Sequence, residues 1–182
     1  MSQTYPPAYQ HHFKLVIAGE PMTGKDSIAI RFSRDTFSPV YIPTIGVDFF
    51  VRYIKILGVM CKVNTWTLSG QRRFATVVQS YFNGANGVML VFDITNSQSF
   101  EDVRFWLDMG MKYTDCCKQL IGAKKDKEQE RQVSLELAKK FAAENGMEYI
   151  EVSSSDGTNV EEAFLQLLCN AHLKMTQINL TV

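Results

Sequence analysis

Short apolar runs alternate along this chain with longer segments in which apolar residues recur at helical spacing. Continuous apolar runs at 13–18, 87–92, 120–123 and 149–152 are typical of strands that are buried on both faces of a sheet. The segments between these runs carry apolar residues three and four positions apart, which predicts helices. Strands that alternate with helices in this way predict an α/β fold, with a mostly parallel sheet and helices on both of its faces.

Residues that favour helix starts precede three of the amphipathic segments. Ser99, with Asp102 three residues later, predicts a capping box and a helix that turns its apolar side chains inward. Ser134 predicts a second start, and Thr158 with Glu161 predicts a third. We therefore expect three helices to begin close to these residues.

One segment shows the two-residue period of a strand pair instead of the helical period. Apolar and polar residues alternate from 47 to 54, the turn residues Leu57 and Gly58 follow, and a second run extends from 59 to 66. This pattern predicts an antiparallel hairpin at one edge of the sheet. Phe50 falls on the face opposite to its neighbours in sequence, where it is either an added contact or an exposed apolar edge.

Composition narrows the classes of partner. The 182 residues suit one domain with its own core. Nineteen basic residues balance nineteen acidic ones, so the zero formal charge gives no electrostatic reason to expect nucleic acid or an anionic membrane as a partner. The four cysteines lack metal-ligand spacing and are expected to be reduced thiols of a cytoplasmic protein.

Three parts of the chain are predicted. Residues 1–12 are polar and predict a flexible leader, residues 13–173 form the folded domain, and residues 174–182 form a short C-terminal tail. The chain opens Met-Ser and ends without a cysteine, so we expect neither myristoylation nor prenylation. Membrane association is then expected only through partners.

The strand predicted at 13–18 leads into a phosphate-binding loop, Gly-Glu-Pro-Met-Thr-Gly-Lys-Asp at 19–26, whose last residue is changed. In Gly-x-x-x-x-Gly-Lys-[Ser/Thr], backbone N–H groups cradle phosphates, the lysine contacts the terminal phosphates and the hydroxyl binds Mg²⁺. Asp26 occupies the hydroxyl position, where a carboxylate either ligates the metal or repels the nucleotide. The predicted nucleotide-binding residues of this loop and the following helix are Gly19, Thr23, Gly24, Lys25, Asp26 and Ser27.

Further motifs make residues 13–173 resemble a small GTPase of the Rab branch of the Ras superfamily. The most specific motif is Thr-Ile-Gly-Val-Asp-Phe at 44–49, which matches the first switch and second strand of Rab proteins. Supporting motifs are Gly-Gln-x-Arg-Phe at 70–74, Ser-Tyr-Phe-x-Gly-Ala at 80–85, Phe-Asp-Ile-Thr at 92–95 and Thr-Asn-Val-Glu at 158–161.

The resemblance implies a P-loop NTPase fold of the Ras-like type. Its mostly parallel six-stranded sheet would have one antiparallel edge hairpin and helices on both faces. GTP or GDP, with Mg²⁺, would be the ligands. Five segments are then expected to converge on one edge of the sheet: 19–26, 35–46, the residues from 70 onward, 123–126 and 153–157.

The resemblance also implies roles for the residues of the hydrolytic site. A threonine at the Thr44 position ligates Mg²⁺ and senses the γ-phosphate, and a glutamine at the Gln71 position orients the attacking water. Gly70 keeps the backbone N–H that the family directs at the γ-phosphate. The hydrolytic residues are therefore present.

The metal site departs from the family pattern at two positions. Trp-Thr-Leu-Ser-Gly at 66–70 stands where the family has Trp-Asp-Thr-Ala-Gly, so Thr67 replaces the carboxylate that holds a metal-bound water. Asp26 would replace that charge only if the near-octahedral geometry of Mg²⁺ is met. Asp26 and Thr44 are the candidate metal ligands.

The predicted base site is also altered. Ala-Lys-Lys-Asp at 123–126 stands where the family recognises guanine with Asn-Lys-x-Asp, so Lys124 and Asp126 are kept and the asparagine amide is lost. The family's Ser-Ala-Lys becomes three serines, in which Ser153 and the backbone N–H of Ser154 remain and the lysine is gone. Losing about three contacts of roughly 1.5–3 kcal/mol each would weaken nucleotide binding by ~10³ to 10⁶.

A partner-binding surface is kept. In Rab proteins, partners dock on the two switches and on an aromatic triad, whose matching residues here are Phe49, Trp66 and Tyr81, beside Ile45 of the first switch. The alternative interpretation is that these aromatic rings only fill the core, although partly exposed aromatic clusters also anchor interfaces.

Three hypotheses remain open. The first is a trafficking-type binding module with weak or absent GTP and GDP binding and little hydrolysis. The second is a working GTPase switch that uses Asp26 as an unusual Mg²⁺ ligand. The third is a degenerate competitor that sequesters Rab regulators. All three predict a monomer that engages Rab-type effectors or regulators through its switch face, without nucleic acid and without a direct membrane anchor.

Overall fold

The structure is a computed structural model that describes residues 6–40, 43–111 and 115–179. Its strands form one sheet in the order β2-β3-β1-β4-β5-β6, in which β2 and β3 are antiparallel and every other neighbouring pair is parallel. The strands are β1 His11–Ala18, β2 Val47–Ile56, β3 Val59–Leu68, β4 Gly87–Asp93, β5 Cys117–Ala123 and β6 Glu148–Val152. The predicted fold and its antiparallel edge hairpin are confirmed.

Helices connect the parallel strands. The α-helices are α1 Lys25–Arg34, α2 Ala75–Val78, α3 Ser97–Glu101, α4 Val103–Met111, α5 Leu135–Glu144 and α6 Val160–Asn179. Short 3₁₀ turns lie at Arg72–Phe74, Gln79–Phe82 and Lys125–Glu130. No helix within the described ranges is long and apolar enough to cross a bilayer.

The core has two layers, one on each face of the sheet. Alternate residues of β1 point to opposite faces, because side chains alternate along a strand. Leu15 and Ile17 pack in the layer that contains α1 and α6. Val16 and Ala18 pack in the layer that contains α3, α4 and α5. The glycine loop begins directly after Ala18, at the carboxyl end of β1.

The predicted capping box at Ser99 is wrong. The helix begins at Ser97, and its N-cap is Asn96, whose side chain accepts a hydrogen bond from the Ser99 backbone N–H at 3.3 Å. Ser99 is buried, and its hydroxyl donates to the Asn96 carbonyl at 2.7 Å. By contrast, the predicted cap at Ser134 is confirmed, since its side chain accepts from the Leu137 N–H at 3.2 Å.

Phe50 is a core residue and not an exposed edge. Its side chain is buried in the layer that contains α1 and α6, and the guanidinium of Arg34 lies 5.9 Å from the ring centroid. The alternation along β2 placed it on this face correctly. What the pattern could not show is that α1 covers the face at this position.

The ends of the folded part extend beyond the predicted bounds. Strand β1 begins at His11, inside the segment 1–12 that was expected to be a flexible leader. Helix α6 continues to Asn179, inside the segment 174–182 that was expected to be a tail. Residues 1–5 and 180–182 lie outside the described part of the chain.

Candidate functional site

The glycine loop joins the carboxyl end of β1 to the start of α1, and its close packing explains its glycines. A Cβ at Gly19 would lie 2.1 Å from the carbonyl oxygen of Val91 on the neighbouring strand β4. Gly24 caps α1 with a left-handed backbone (φ 93°), which glycine adopts without steric cost. Met22 also has a positive φ of 64°, and its side chain is 64% exposed. The loop is therefore built as a phosphate-binding loop is, with one strained non-glycine residue.

Lys25 is enclosed by the loop. Its side chain is 5% exposed, and its Nζ donates to the backbone carbonyl of Glu20 at 2.7 Å. The Thr23 hydroxyl donates to the same carbonyl at 2.9 Å. Burial lowers the pKa of Lys25 to about 8, against the opposing effect of the nearby Asp26 and Glu20 charges. The lysine is thus positioned inside the loop with its charge only partly compensated.

Asp26 and Thr44 meet directly at the predicted metal position. The Thr44 hydroxyl donates a hydrogen bond to Oδ2 of Asp26. The other carboxylate oxygen, Oδ1, is buried and has no hydrogen-bond partner among the residues that the structure describes. A carboxylate that replaces the expected hydroxyl therefore reaches across to the first switch.

Thr67 and Asp48 complete this corner. They are paired across β3 and β2, and the Thr67 hydroxyl is buried with no partner within the described ranges. Burial raises the pKa of Asp48, and the charge of Asp26 raises it further. Asp26 and Asp48 are therefore close enough to repel each other.

The oxygen atoms at this corner suit Mg²⁺ in type. Hard divalent cations take carboxylate and hydroxyl oxygens, and Asp26 has a buried oxygen that lacks a partner in the part of the chain described here. Asp26 and Thr44 would hold such an ion. Among residues 6–40, 43–111 and 115–179, no group of three or more His, Cys, Asp or Glu side chains is placed so that it could hold a metal ion.

Gly70 brings the second switch against the glycine loop. A Cβ at Gly70 would lie 2.3 Å from the Pro21 nitrogen and 2.6 Å from the Gly19 carbonyl oxygen. Only glycine permits this approach. The next residue, Gln71, is half-buried. Of the two predicted catalytic residues, Thr44 is bonded to Asp26 at the end of the loop, and Gln71 directly follows Gly70, which packs against the loop.

The Lys124 side chain of the predicted base site is engaged by a residue that sequence reasoning did not single out. Its Nζ pairs with Oδ2 of Asp93 at 2.5 Å, and its backbone is left-handed (φ 65°). Asp93 also accepts hydrogen bonds from the Thr95 hydroxyl and N–H. Asp126 lies exposed in the following 3₁₀ turn. Asp93 lies within the Phe-Asp-Ile-Thr motif, which could have pointed to it.

The triple-serine loop after β6 is held by α1. Ser153 is buried, and its N–H donates to the Thr158 carbonyl at 3.0 Å. The Arg31 guanidinium donates to the carbonyls of Ser154 and Ser155, each at 2.9 Å. Arg31 was not predicted, because nothing in its local sequence indicates a partner more than 120 positions away. The loop is thereby fixed relative to the glycine loop.

Glu20 connects the glycine loop to α4 and to the second switch. Its Oε1 accepts from the indole N–H of the fully buried Trp106 at 3.0 Å and from Nε of Arg72 at 3.3 Å. Arg72 also pairs with Asp102, and its guanidinium lies 4.7 Å from the ring centroid of Phe105. Sequence reasoning missed this network entirely.

The predicted partner-binding aromatic residues form one contiguous row. The ring centroids of Phe49 and Trp66 are 4.4 Å apart, and those of Trp66 and Tyr81 are 5.2 Å apart. Phe49 is 44% exposed, while Trp66 and Tyr81 are half-buried. Ile45, just before β2, is 85% exposed. The row is therefore partly accessible and is not simply core.

Comparisons with known proteins agree with this geometry. The profile described as Ras family matches residues 14–172. The GTP-binding protein YPT1 of Saccharomyces cerevisiae is 39% identical over 174 residues, which covers 94% of this chain and 84% of that protein. Ras-related protein Rab-13 of Canis lupus familiaris is 40% identical over 169 residues, covering 92% and 83%, respectively. Ras-related protein Rab-8B of Pongo abelii is 39% identical over 173 residues, covering 94% and 82%.

Proposed function

We propose, since the chain belongs to the Ras family of small GTPases, that it is a Rab-like binding module whose switch face engages trafficking partners with weak or no dependence on nucleotide. Membership of the family implies GTP or GDP and Mg²⁺ as ligands, and similarity to Rab proteins implies effectors or regulators of the Rab type. The proposal is that this chain has reduced the first property and kept the second.

The observation that carries the proposal is the hydrogen bond from Thr44 to Asp26. The residue that replaces the metal-binding hydroxyl is a carboxylate that is already bonded to the switch threonine. A carboxylate next to a triphosphate adds negative charge where the ligand is most negative, and the interaction is strong at short range in a poorly hydrated site. Thr67 supplies a neutral hydroxyl where the family has a carboxylate.

The loop itself still supports phosphate contacts. Gly24 and Lys25 stand at the start of α1, where free backbone N–H groups and a buried cation are the groups that an anion site at a helix N-terminus uses. A bound Mg²⁺ would neutralise phosphate charge there. These residues support residual binding of a nucleotide. The loss of nucleotide affinity is attributed to Asp26, Thr67 and the base site.

The base site supports weaker selectivity. Ala123 offers no side-chain amide and is buried in the core. The Lys124 ammonium is paired with Asp93, and Asp126 remains exposed where it can accept hydrogen bonds from guanine. Guanine recognition would then depend on Asp126 and on the Ser154 backbone. This supports a preference for guanine over other bases that is weaker than in the family.

The partner face supports the second half of the proposal. Phe49, Trp66 and Tyr81 present a row of rings of which the first is well exposed. Large aromatic residues that are partly buried and held by neighbours are the usual anchors of protein interfaces, because they lose little conformational entropy on binding. We place the protein in the cytoplasm, with membrane association through such partners.

A titration tests the proposal. GDP and GTP are added to protein that has been stripped with a chelator, with and without Mg²⁺, and heat of binding is measured. The expected affinity is weaker by about 10³-fold or more than that of YPT1 measured in parallel, with Mg²⁺ changing it little. Affinity equal to that of YPT1 would overturn the proposal.

A working switch is the second candidate, because one observation favours it. Oδ1 of Asp26 is buried without a partner among the described residues, and an uncompensated buried carboxylate oxygen is costly unless a cation or a donor reaches it. In this case the same titration would show strong affinity that appears only with Mg²⁺. The two functions therefore predict opposite results from one measurement.

A further inference from the structure

Both switch segments are bonded to the glycine loop by side chains of the chain itself. The first clamp is the hydrogen bond from Thr44 to Asp26. The second clamp is the network in which Arg72 contacts Glu20 and Asp102. The two clamps start from opposite sides of the loop, since Glu20 is its second residue and Asp26 is its last.

The first clamp occupies the position at which the family binds Mg²⁺ and the γ-phosphate. In the family, the threonine at this position is held by Mg²⁺ and responds to the γ-phosphate. Here its hydroxyl donates to a carboxylate of α1, and a hydrogen bond to an ionised acceptor is stronger than a neutral one. The Thr44 side chain is half-buried. Releasing it would take this hydrogen bond from Oδ2 of the half-buried Asp26, whose other oxygen, Oδ1, is already buried without a partner among the described residues.

The second clamp holds the start of the second switch. Arg72 directly follows Gln71, and its guanidinium is shared between Glu20, Asp102 and the face of the Phe105 ring. Glu20 is only 18% exposed and is oriented by the buried Trp106 indole, so one partner of Arg72 is fixed before the arginine arrives. Arg72 itself is 49% exposed, so solvent screens the pair, but a fixed partner lowers the entropy cost of an ion pair and this pair belongs to a network.

A backbone contact joins the two clamped segments. The Ser69 N–H donates to the Gly46 carbonyl at 2.7 Å. Thr44 and Gly46 are therefore fixed on one side, and Ser69 and Arg72 on the other. The row of aromatic rings spans the same two segments, because Phe49 belongs to β2 and Tyr81 follows the second switch.

We propose that the first and second clamps hold the two switch segments against the glycine loop without a γ-phosphate or a metal ion. The row of Phe49, Trp66 and Tyr81, which spans these segments, then keeps one arrangement permanently. The partner-binding consequence rests on the proposed function. The conformational claim does not, because it concerns the chain alone.

Hydrogen exchange on stripped protein tests the clamps. The backbone amides of 44–49 and 70–75 are followed by mass spectrometry in the wild type, in Thr44→Val and in Arg72→Gln. We expect the wild type to be protected without nucleotide, Thr44→Val to exchange roughly tenfold faster in the first segment, and Arg72→Gln to do so in the second. A GTP analogue with Mg²⁺ should add no further protection to the wild type.

Matched variants separate a clamp from general loosening. Thr44→Ser keeps the hydroxyl and should keep the protection. Arg73→Gln removes the neighbouring arginine, which lies over Phe74 and not in the network, and should also keep it. Protection of 88–91 in the core strand β4 reports whether each variant is folded. If Thr44→Val loosens β4 as well, Asp26→Asn replaces it as the variant that weakens the first clamp.

Two outcomes overturn the clamps. One is rapid exchange of both segments in stripped wild type that slows only when the GTP analogue and Mg²⁺ are added. The other is equal exchange in Thr44→Val and Thr44→Ser. Nucleotide affinity is measured separately, so tight binding in a chain whose switches are protected when empty would refute the proposed function and leave the clamps standing.

Discussion

The ligand corner of this protein (Asp26, Thr44, Asp48 and Thr67) and its switch face (Ile45, Phe49, Trp66 and Tyr81) meet on β2 and β3. They differ in how closely their residues match the motifs that the resemblance implies. At the ligand corner, Asp26 and Thr67 stand where the resemblance implies a hydroxyl and a carboxylate, and each has a buried side-chain oxygen without a partner among the described residues. At the switch face, Phe49, Trp66 and Tyr81 match the pattern and pack as a continuous row. The proposed function follows from this difference: the recognition surface is kept while the ligand site is altered.

The largest effect is expected at the switch face. Trp66→Ala removes the middle ring of the row and should weaken binding to any Rab effector or exchange factor that the wild type binds by about 30- to 1000-fold, as loss of an interface anchor does. Binding is measured by biolayer interferometry against a panel of purified Rab effectors and exchange factors.

The control for this prediction is Val51→Ala, an exposed apolar residue of the same strand as Phe49. It should leave affinity within about threefold of wild type. Binding that survives Trp66→Ala would show that the row is only part of the core. Binding confined to exchange factors would favour the competitor that sequesters Rab regulators.

The second effect comes from the buried Lys25 beside the ligand corner and depends on pH. Burial lowers the pKa of Lys25 from its ordinary 10.5 to about 8. Below pH 8 both folded and unfolded chains hold this proton, so the cost of burying the charge is fully present. Between about pH 8 and 10.5 the folded chain releases the proton while the unfolded chain keeps it. The free energy of unfolding should therefore rise over this range, by up to about 3 kcal/mol.

Urea denaturation of stripped protein from pH 7 to 10.5 measures this rise. Lys25→Met should lack it, whereas Lys139→Met, which changes an exposed lysine of α5, should show the wild-type rise. Parallel curves for the wild type and Lys25→Met would contradict the prediction.

Much of the fold follows from the sequence, because its information is local. The strand at 13–18, the hairpin and the cap at Ser134 rest on periodicity and on short motifs, and the structure has all three. The cap of α3 was placed wrongly because two nearby residues, Asn96 and Ser99, both suit a helix start. Only burial of the Ser99 hydroxyl decides between them.

The hydrogen bonds that connect the residues of the candidate site could not be predicted from the sequence as well as the fold could. The bond from Trp106 to Glu20 joins residues 86 positions apart, and the bond from Thr44 to Asp26 depends on where the first switch lies. Motif spacing shows which residue types are present. It does not show that a changed residue has acquired a new partner, which depends on tertiary geometry.

A third prediction restores the metal site. Asp26→Ser combined with Thr67→Asp should raise GDP affinity in the presence of Mg²⁺ by about 10- to 100-fold, because it replaces the carboxylate beside the phosphates with a hydroxyl and returns the charge to β3. Calorimetry with and without Mg²⁺ measures the gain. An unchanged affinity would locate the limitation in the base site or at Pro21 and Met22.

The smallest effect is expected at the base site. Ala123→Asn returns the amide and should raise the preference for GDP over ADP by up to about tenfold, the value of roughly one hydrogen bond. Competition with a fluorescent guanine nucleotide measures the preference. Ser155→Lys, which returns the other lost side chain of the base site, is the matched comparison, and no gain from either variant would show that Asp126 and the Ser154 backbone already supply the full selectivity.

The nucleotide content of the purified native protein tests the central claim most directly. The protein is isolated without added nucleotide, denatured, and the released GDP and GTP are quantified by chromatography against the protein concentration. If the chain has kept the switch face and its ligand site has a reduced affinity for nucleotide, it should release far less than one nucleotide per molecule. Stoichiometric GDP or GTP would contradict the claim and show that the Asp26 site is a working one.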